Sequence, residues 1–185
     1  MIAAMNGNRR SGTLRCFRRA FTLLAVLLLC GCPYASDEPL SDPSSAAIDP
    51  SLVGTWRTRD SESEEWQSLV FLPFNDHEMV AWARDDATGE VSLSRLFLTV
   101  IGGERFLNIR ELGSDDVPWY FARCTMEGDR CTLTFVDDGL FGSRAPGSAE
   151  DRREVIRTHL ADPLLYAAEG REPLEMVLER VRKRD

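Results

Sequence analysis

The sequence predicts a mainly β fold, an antiparallel up-and-down meander of about seven strands with C-terminal helices packed on it. Two observations predict it. From Leu52 onward, short apolar segments alternate with acidic and glycine-rich turns, and seven such segments fit into some ninety residues. Parallel strands need crossover connections of a dozen residues or more, and no joint between these segments has that length.

Strands are expected at 52–58, 66–74, 78–84, 91–101, 104–111, 118–126 and 129–137. The turns are Asn75-Asp76-His77, Asp85 to Gly89, Gly102-Gly103, Gly113 to Asp116 and Glu127-Gly128, rich in residues that accept turn geometry. In the hairpin from Leu93 to Ile109, Leu96, Leu98, Leu107 and Ile109 share one face, and Phe97, Ile101 and Phe106 share the other, so both faces need cover. Residues 138–147 read as a loop. Helices follow at 149–160, capped by Ser148 and Asp151, at 163–169 after Asp162-Pro163, and at 173–183 after Glu172-Pro173. The last carries Leu174, Val177, Leu178 and Val181 at i, i+3, i+4 and i+7, an apolar stripe for the sheet or for a partner.

One hairpin permits a test of register. Cys131, Leu133 and Phe135 alternate onto one face, and a turn centred on Glu127-Gly128 sets Cys124 opposite Cys131, Ala122 opposite Leu133 and Tyr120 opposite Phe135. Directly opposed residues lie within disulfide reach, which gives the expectation of a Cys124–Cys131 bridge, with two buried thiols as the alternative.

Before the sheet, Arg9, Arg10, Arg15, Arg18 and Arg19 precede the apolar run Ala20 to Leu29, which is too short to span a bilayer. Leu29-Cys30-Gly31-Cys32 resembles the lipobox of bacterial lipoproteins, with its aliphatic residue three positions before the cysteine. The resemblance implies cleavage by signal peptidase II, residues 1–31 as the signal peptide, and Cys32 as the acylated mature N-terminus. It also implies a cell-envelope location, the periplasmic face of the outer membrane rather than the inner membrane. An ordinary cleaved secretory signal is the alternative, and Arg18-Arg19-Ala20-Phe21 partly resembles a twin-arginine export signal.

Residues 33–51 interleave prolines and serines, and residues 32–51 read as the lipidated cysteine and a flexible tether, with a root-mean-square reach of about 25 Å; the alternative is a segment ordered against the domain through Leu40 and Ile48. The β domain then occupies 52–147 and the helical segment 148–185. Residues 1–31 carry five arginines and no acids, so their removal moves the formal charge from −8 to −13. That balance opposes nucleic acid phosphates and anionic lipid headgroups as partners. The single lysine, Lys183, against 21 arginines suggests codon composition rather than a task.

Gly54-Thr55-Trp56, opening the first strand, resembles the Gly-x-Trp signature of lipocalins and related calycin barrels, in which the tryptophan plugs the closed end. The resemblance spans residues 52 to about 160. It departs from the family in having one strand fewer than eight and no Thr-Asp-x-Tyr motif, and the arginine that stacks on the tryptophan in those families is not assigned.

The chain has only two histidines, His77 in a turn and His159 late in a helix, and no nucleophile elbow, Walker loop, zinc-protease or dinucleotide motif. The acidic turns lack EF-hand spacing. The reading is therefore of no enzyme, no metal and no cofactor. Two functions remain: an accessory protein that meets an envelope protein through its surface, or a binder of a small apolar ligand enclosed by Trp56, Phe71, Trp82 and Tyr120.

Overall fold

The structure, a computed structural model, describes residues 33–59, 66–113, 116–141 and 147–182. The expected signal peptide, residues 1–31, and the expected lipidation site Cys32 lie outside them. Among the described residues, nine strands occur in chain order: β1 (Ala35–Ser36), β2 (Gly54–Arg59), β3 (Trp66–Pro73), β4 (Met79–Asp85), β5 (Val91–Ile101), β6 (Glu104–Glu111), β7 (Trp119–Glu127), β8 (Arg130–Phe135) and β9 (Glu175–Arg180). One helix, α1 (Ala149–Thr158), lies between β8 and β9.

Strands β2 to β8 pair antiparallel with their sequence neighbours, and β9 pairs with both β8 and β2. The result is a closed eight-stranded antiparallel barrel, lipocalin-like in architecture, with β1 added alongside β7. The seven expected strands are all present.

The eighth strand stands where a helix was expected at 173–183. The helical spacing of Leu174, Val177, Leu178 and Val181 coexists with a two-residue alternation, in which Met176 and Leu178 face the interior and Glu175 and Glu179 face solvent. The unpaired edges of β2 and β8 decide between the two, because a helix there would leave both edges open. Of the other helices, α1 forms, and Ser148 caps it by accepting from the Asp151 N–H at 3.1 Å. The segment expected at 163–169 is reduced to a 3-10 turn, Pro163–Leu165.

Two cores result. Inside the barrel, Trp56, Leu69, Phe71, Met79, Leu96, Leu98, Leu107, Leu133 and Leu178 pack with Cys124 and Cys131. Outside it, Phe97, Ile101, Phe106, Trp119 and Phe121 are covered by Ile156 of α1, by Leu165 and Tyr166, and by Tyr34, Leu40 and Ala46 from the N-terminal segment. The hairpin from Leu93 to Ile109 is thus buried on both faces, as its pattern requires.

Tyr34, Leu40 and Ala46 correct the expectation of a flexible tether. Pro33 bridges Asp137, β1 pairs with Trp119 and Tyr120, and the Leu40 N–H donates to Asn108 Oδ1 at 2.8 Å. Ser41 and Thr99 exchange a hydroxyl hydrogen bond at 2.7 Å, and Arg152 of α1 holds Glu38 at 3.0 Å. The segment is a strap along the barrel. Its prolines and serines suggest a loop, but Leu40 is wholly buried, which contributes about 1.5–3 kcal/mol by itself.

Replacing that side chain tests the strap. Leu40→Ala is expected to destabilise the mature protein by about 2–5 kcal/mol in urea unfolding, as for other buried leucines. A change under about 0.5 kcal/mol would show a strap that contributes no packing.

Candidate functional site

The barrel has a closed end and an opposite end. At the closed end Trp56 is fully buried, and its indole N–H donates to the Leu52 carbonyl at 2.8 Å. The Arg180 guanidinium lies over the Trp56 ring, 4.2 Å from its centroid. Arg180 also donates to the Val53 carbonyl at 2.9 Å and to the Ser51 carbonyl. Gly54 has φ +140°, and a Cβ there would come within 2.6 Å of Arg180 Nη1, so both the backbone conformation and the stacked arginine demand glycine. Asp49, paired with Arg105, completes this end. Burial works to raise its carboxyl, but hydrogen bonds from Ser51 and the Arg105 charge outweigh it and hold the group below the ordinary carboxylate value.

Arg180 thus occupies the place of the stacking arginine that the sequence left unassigned. Its signal was masked by the helical reading of 173–183: as a strand, Arg180 falls directly opposite Trp56.

The four aromatics expected around a ligand do not converge on an open cup. Trp56 and Phe71 are buried among the interior side chains. Tyr120, half-buried, stands opposite Ile109 in β6 and Ala35 in β1. Trp82 points outward, because its neighbours Ala81 and Ala83 are the residues that pack inside.

The cysteine pair is likewise corrected. The β7–β8 turn is centred on Gly128-Asp129, with φ +61° at Gly128, and Glu127 pairs with Arg130. Register therefore slips by two residues from the expected one: Cys124 faces Leu133, Cys131 faces Met126, and Ala122 faces Phe135. The cysteines are diagonal neighbours, for which α-carbons typically lie about 7–8 Å apart, at or beyond the limit for a disulfide. Both are thiols, with sulfurs 3.6 Å apart. The hydrogen bond between them, and then burial, push the Cys131 thiol above its ordinary range.

His77 and His159 sit apart in the fold, and the Nδ1 of each is engaged by a backbone carbonyl, Ala46 for His77 and Val155 for His159, both at 2.8 Å. Among the described residues no group of three His, Cys, Asp or Glu side chains converges in a manner that could hold a metal ion.

Among the described residues, clefts open on the outer surface, two of them notable. One, of about 220 Å³, opens where β2 and β9 splay apart and is lined by Thr58, Arg59, Trp66, Glu175, Val177 and Glu179. The other, of about 450 Å³, lies between the outer face of β7–β8 and the segment after α1. In its wall the Arg123 guanidinium stacks 4.4 Å from the Tyr166 ring centroid, and Arg123 Nε and the Tyr166 hydroxyl have no hydrogen-bond partner. Burial pushes the Tyr166 hydroxyl up, with Arg123 opposing. No motif in the sequence singles out either residue.

A third feature is an uncovered apolar face. On the outside of β3 and β4, Val70 pairs with Trp82 and Leu72 with Val80, and Phe74 follows β3. Leu72 is 52% exposed and Phe74 67%. The strap and α1 cover the outside of β5 to β7 and leave Leu72 and Phe74 exposed on this face, with Val70, Val80 and Trp82 half-buried beside them.

No family model, no curated protein and no solved structure matches the chain. Function rests on the geometry.

Two measurements check the site. Arg180→Gln removes the ring contact and both carbonyl hydrogen bonds, and should cost about 1–3 kcal/mol in denaturant unfolding, whereas a neutral substitution would show that the closed end holds without it. In denaturant without reductant, intact-mass analysis after alkylation should find both Cys124 and Cys131 modified; unmodified cysteines that react only after reduction would show a disulfide.

Proposed function

We propose that the protein is a non-catalytic accessory lipoprotein of the bacterial cell envelope, anchored through acylated Cys32 to the periplasmic face of the outer membrane, and that it acts by meeting an envelope protein through its surface. The observation that carries the reading is the filled barrel. Large side chains occupy the interior, with Trp56, Leu52, Met79, Leu96 and Leu107 among the fully buried, while the apolar face of β3 and β4 points to solvent. A small eight-stranded barrel has room for side chains or for one small ligand, and this interior supports the first arrangement. Contiguous exposed apolar residues are the usual mark of a protein contact. The lipobox resemblance supports the anchor, and the formal charge of −13 after signal removal agrees with export without affinity for nucleic acid.

The test uses protein extracted from its own host in mild detergent. Native mass spectrometry is expected to show a second polypeptide with the wild type and none with the Leu72→Asp, Phe74→Asp double variant. Because both side chains are exposed, the variant should keep its stability to within about 0.5 kcal/mol per site. A small apolar molecule carried equally by both proteins would replace this reading with ligand binding inside the barrel.

A further inference from the structure

The strap fixes how an anchored barrel must sit. In a meander the turns alternate between ends, so the β3–β4, β5–β6 and β7–β8 turns share the closed end with Trp56 and Arg180. The β4–β5 turn, the end of β6 and the end of β8 share the other. Pro33 bridges Asp137, two residues beyond β8, and so belongs to this second end. From there the strap runs the length of the barrel. The Tyr34 N–H donates to the Val136 carbonyl at 2.7 Å, and the Tyr34 ring stacks on Phe141 with centroids 3.8 Å apart. Leu40 meets Asn108, Ser41 meets Thr99, and the Ala46 carbonyl meets His77 in the β3–β4 turn. Leu52 then enters the interior core at the closed end.

Cys32 is bonded directly to Pro33. One residue of extended chain spans at most about 3.6 Å, so no leash intervenes between an acylated Cys32 and the docked strap. We propose that in the lipid-anchored protein the barrel rests directly on the bilayer surface, with the Asp137 end at the headgroups and the Trp56–Arg180 plug pointing away. This inference rests on the lipid-anchor reading above.

The surface at that end fits a lipid interface of one kind. Val91 and Leu93 at the start of β5 and Leu112 just past β6 are each 41% exposed or more, and the Leu112 N–H donates to the Leu93 carbonyl at 2.8 Å, which sets their strands side by side. Val91 and Leu93 belong to β5 and Leu112 follows β6; β6 is the neighbour of β7, which carries β1, and β5 lies one strand further on. Among the described residues, Asp85, Asp86, Glu90, Glu111 and Asp116 stand at the same end with Arg59, Arg84 and Arg110, so both signs are present and no excess of cations selects anionic lipids. The surface suits zwitterionic headgroups, with the acyl chains supplying the attachment and the three apolar side chains entering the interfacial layer.

Energy transfer to a headgroup-labelled acceptor lipid in phosphatidylcholine vesicles tests the pose, with the acylated full-length mature chain. Donor dyes are placed at the exposed positions Asp138→Cys, beside the strap bridge, and Asp76→Cys, in the closed-end β3–β4 turn; Cys124 and Cys131 are buried and stay unlabelled in the folded protein. A strand of about eight residues spans about 25 Å, so transfer from position 138 should exceed that from 76 by at least about twofold. Inserting twenty Gly/Ser residues between Cys32 and Pro33 gives a leash of about 25 Å root-mean-square reach and should abolish the difference. Equal or reversed transfer from an acylated protein without the insert overturns the pose and leaves the anchor standing. A mature N-terminus without acyl mass, on protein that washes off the vesicles, overturns both.

Discussion

The barrel depends on a seam of two residue pairs. β2 and β9 pair where Trp56 faces Arg180 and Arg57 faces Glu179, the Val181 N–H adds one bond to the Thr55 carbonyl at 2.9 Å, and on the other side the strands splay to form the smaller cleft. So short a ladder would close a sheet poorly by backbone hydrogen bonds alone. Side chains reinforce it: Arg180 spans from the Trp56 ring to the carbonyls of Ser51 and Val53, and Arg57 pairs with Glu179 at 3.1 Å. Closure removes both sheet edges, and it also fixes the interior volume that the core side chains fill. The plug, the filled core and the absence of a long open edge therefore share one cause.

What the sequence made legible follows from how local each signal is. The strands of the meander could be placed because each is delimited by its own turn, and the double burial of Leu93 to Ile109 could be read from two interleaved apolar sets. Three readings failed where a distant contact decides. Residues 175–180 carry a helical stripe and a strand alternation at once, and only the open edges of β2 and β8 select the strand. The β7–β8 register hinged on whether Gly128 opens or ends the two-residue turn, a choice of one position that moves the cysteines from opposite to diagonal. The strap reads as a linker because Pro and Ser dominate it, while its docking comes from a few residues, Tyr34, Leu40 and Ala46, whose hydrogen-bond partners include Val136, Asn108 (68 positions away) and His77 (31 positions away). Of the site, the Gly54 and Trp56 half of the closed end was legible. The Arg180 half was not, because recognising it requires the chain to have closed.

Arginine acquires a structural meaning that composition alone did not give. Guanidinium groups lie over aromatic rings at Trp56 (Arg180), Trp66 (Arg57 and Arg59), Trp119 (Arg95 and Arg110) and Tyr166 (Arg123). Arg95 and Arg110 even face each other across β5 and β6, an arrangement that like charge opposes. The Trp119 ring, 5.7 Å from each, and Glu78, whose carboxylate accepts from Arg95 Nε at 2.7 Å, supply the compensation. A planar cation suits this use better than lysine, since it stacks on a ring and still donates at its edge.

On the proposed reading, the strap and the filled interior leave the outside of the molecule for recognition. Once Trp56, Phe71 and their neighbours fill the barrel, no ligand can enter without displacing side chains whose burial holds the sheet closed. Once the strap and α1 occupy the outside of β5 to β7, that face is spent on stability as well. Surfaces open to recognition include the exposed Leu72 on β3 with Phe74 just past it, and the cleft where Arg123 Nε and the Tyr166 hydroxyl have no hydrogen-bond partner. The first is carried mainly on strands, so a partner meets a surface already in shape and little ordering entropy opposes its binding, whereas the second is walled on one side by β7 and β8 and on the other by the irregular segment between α1 and β9.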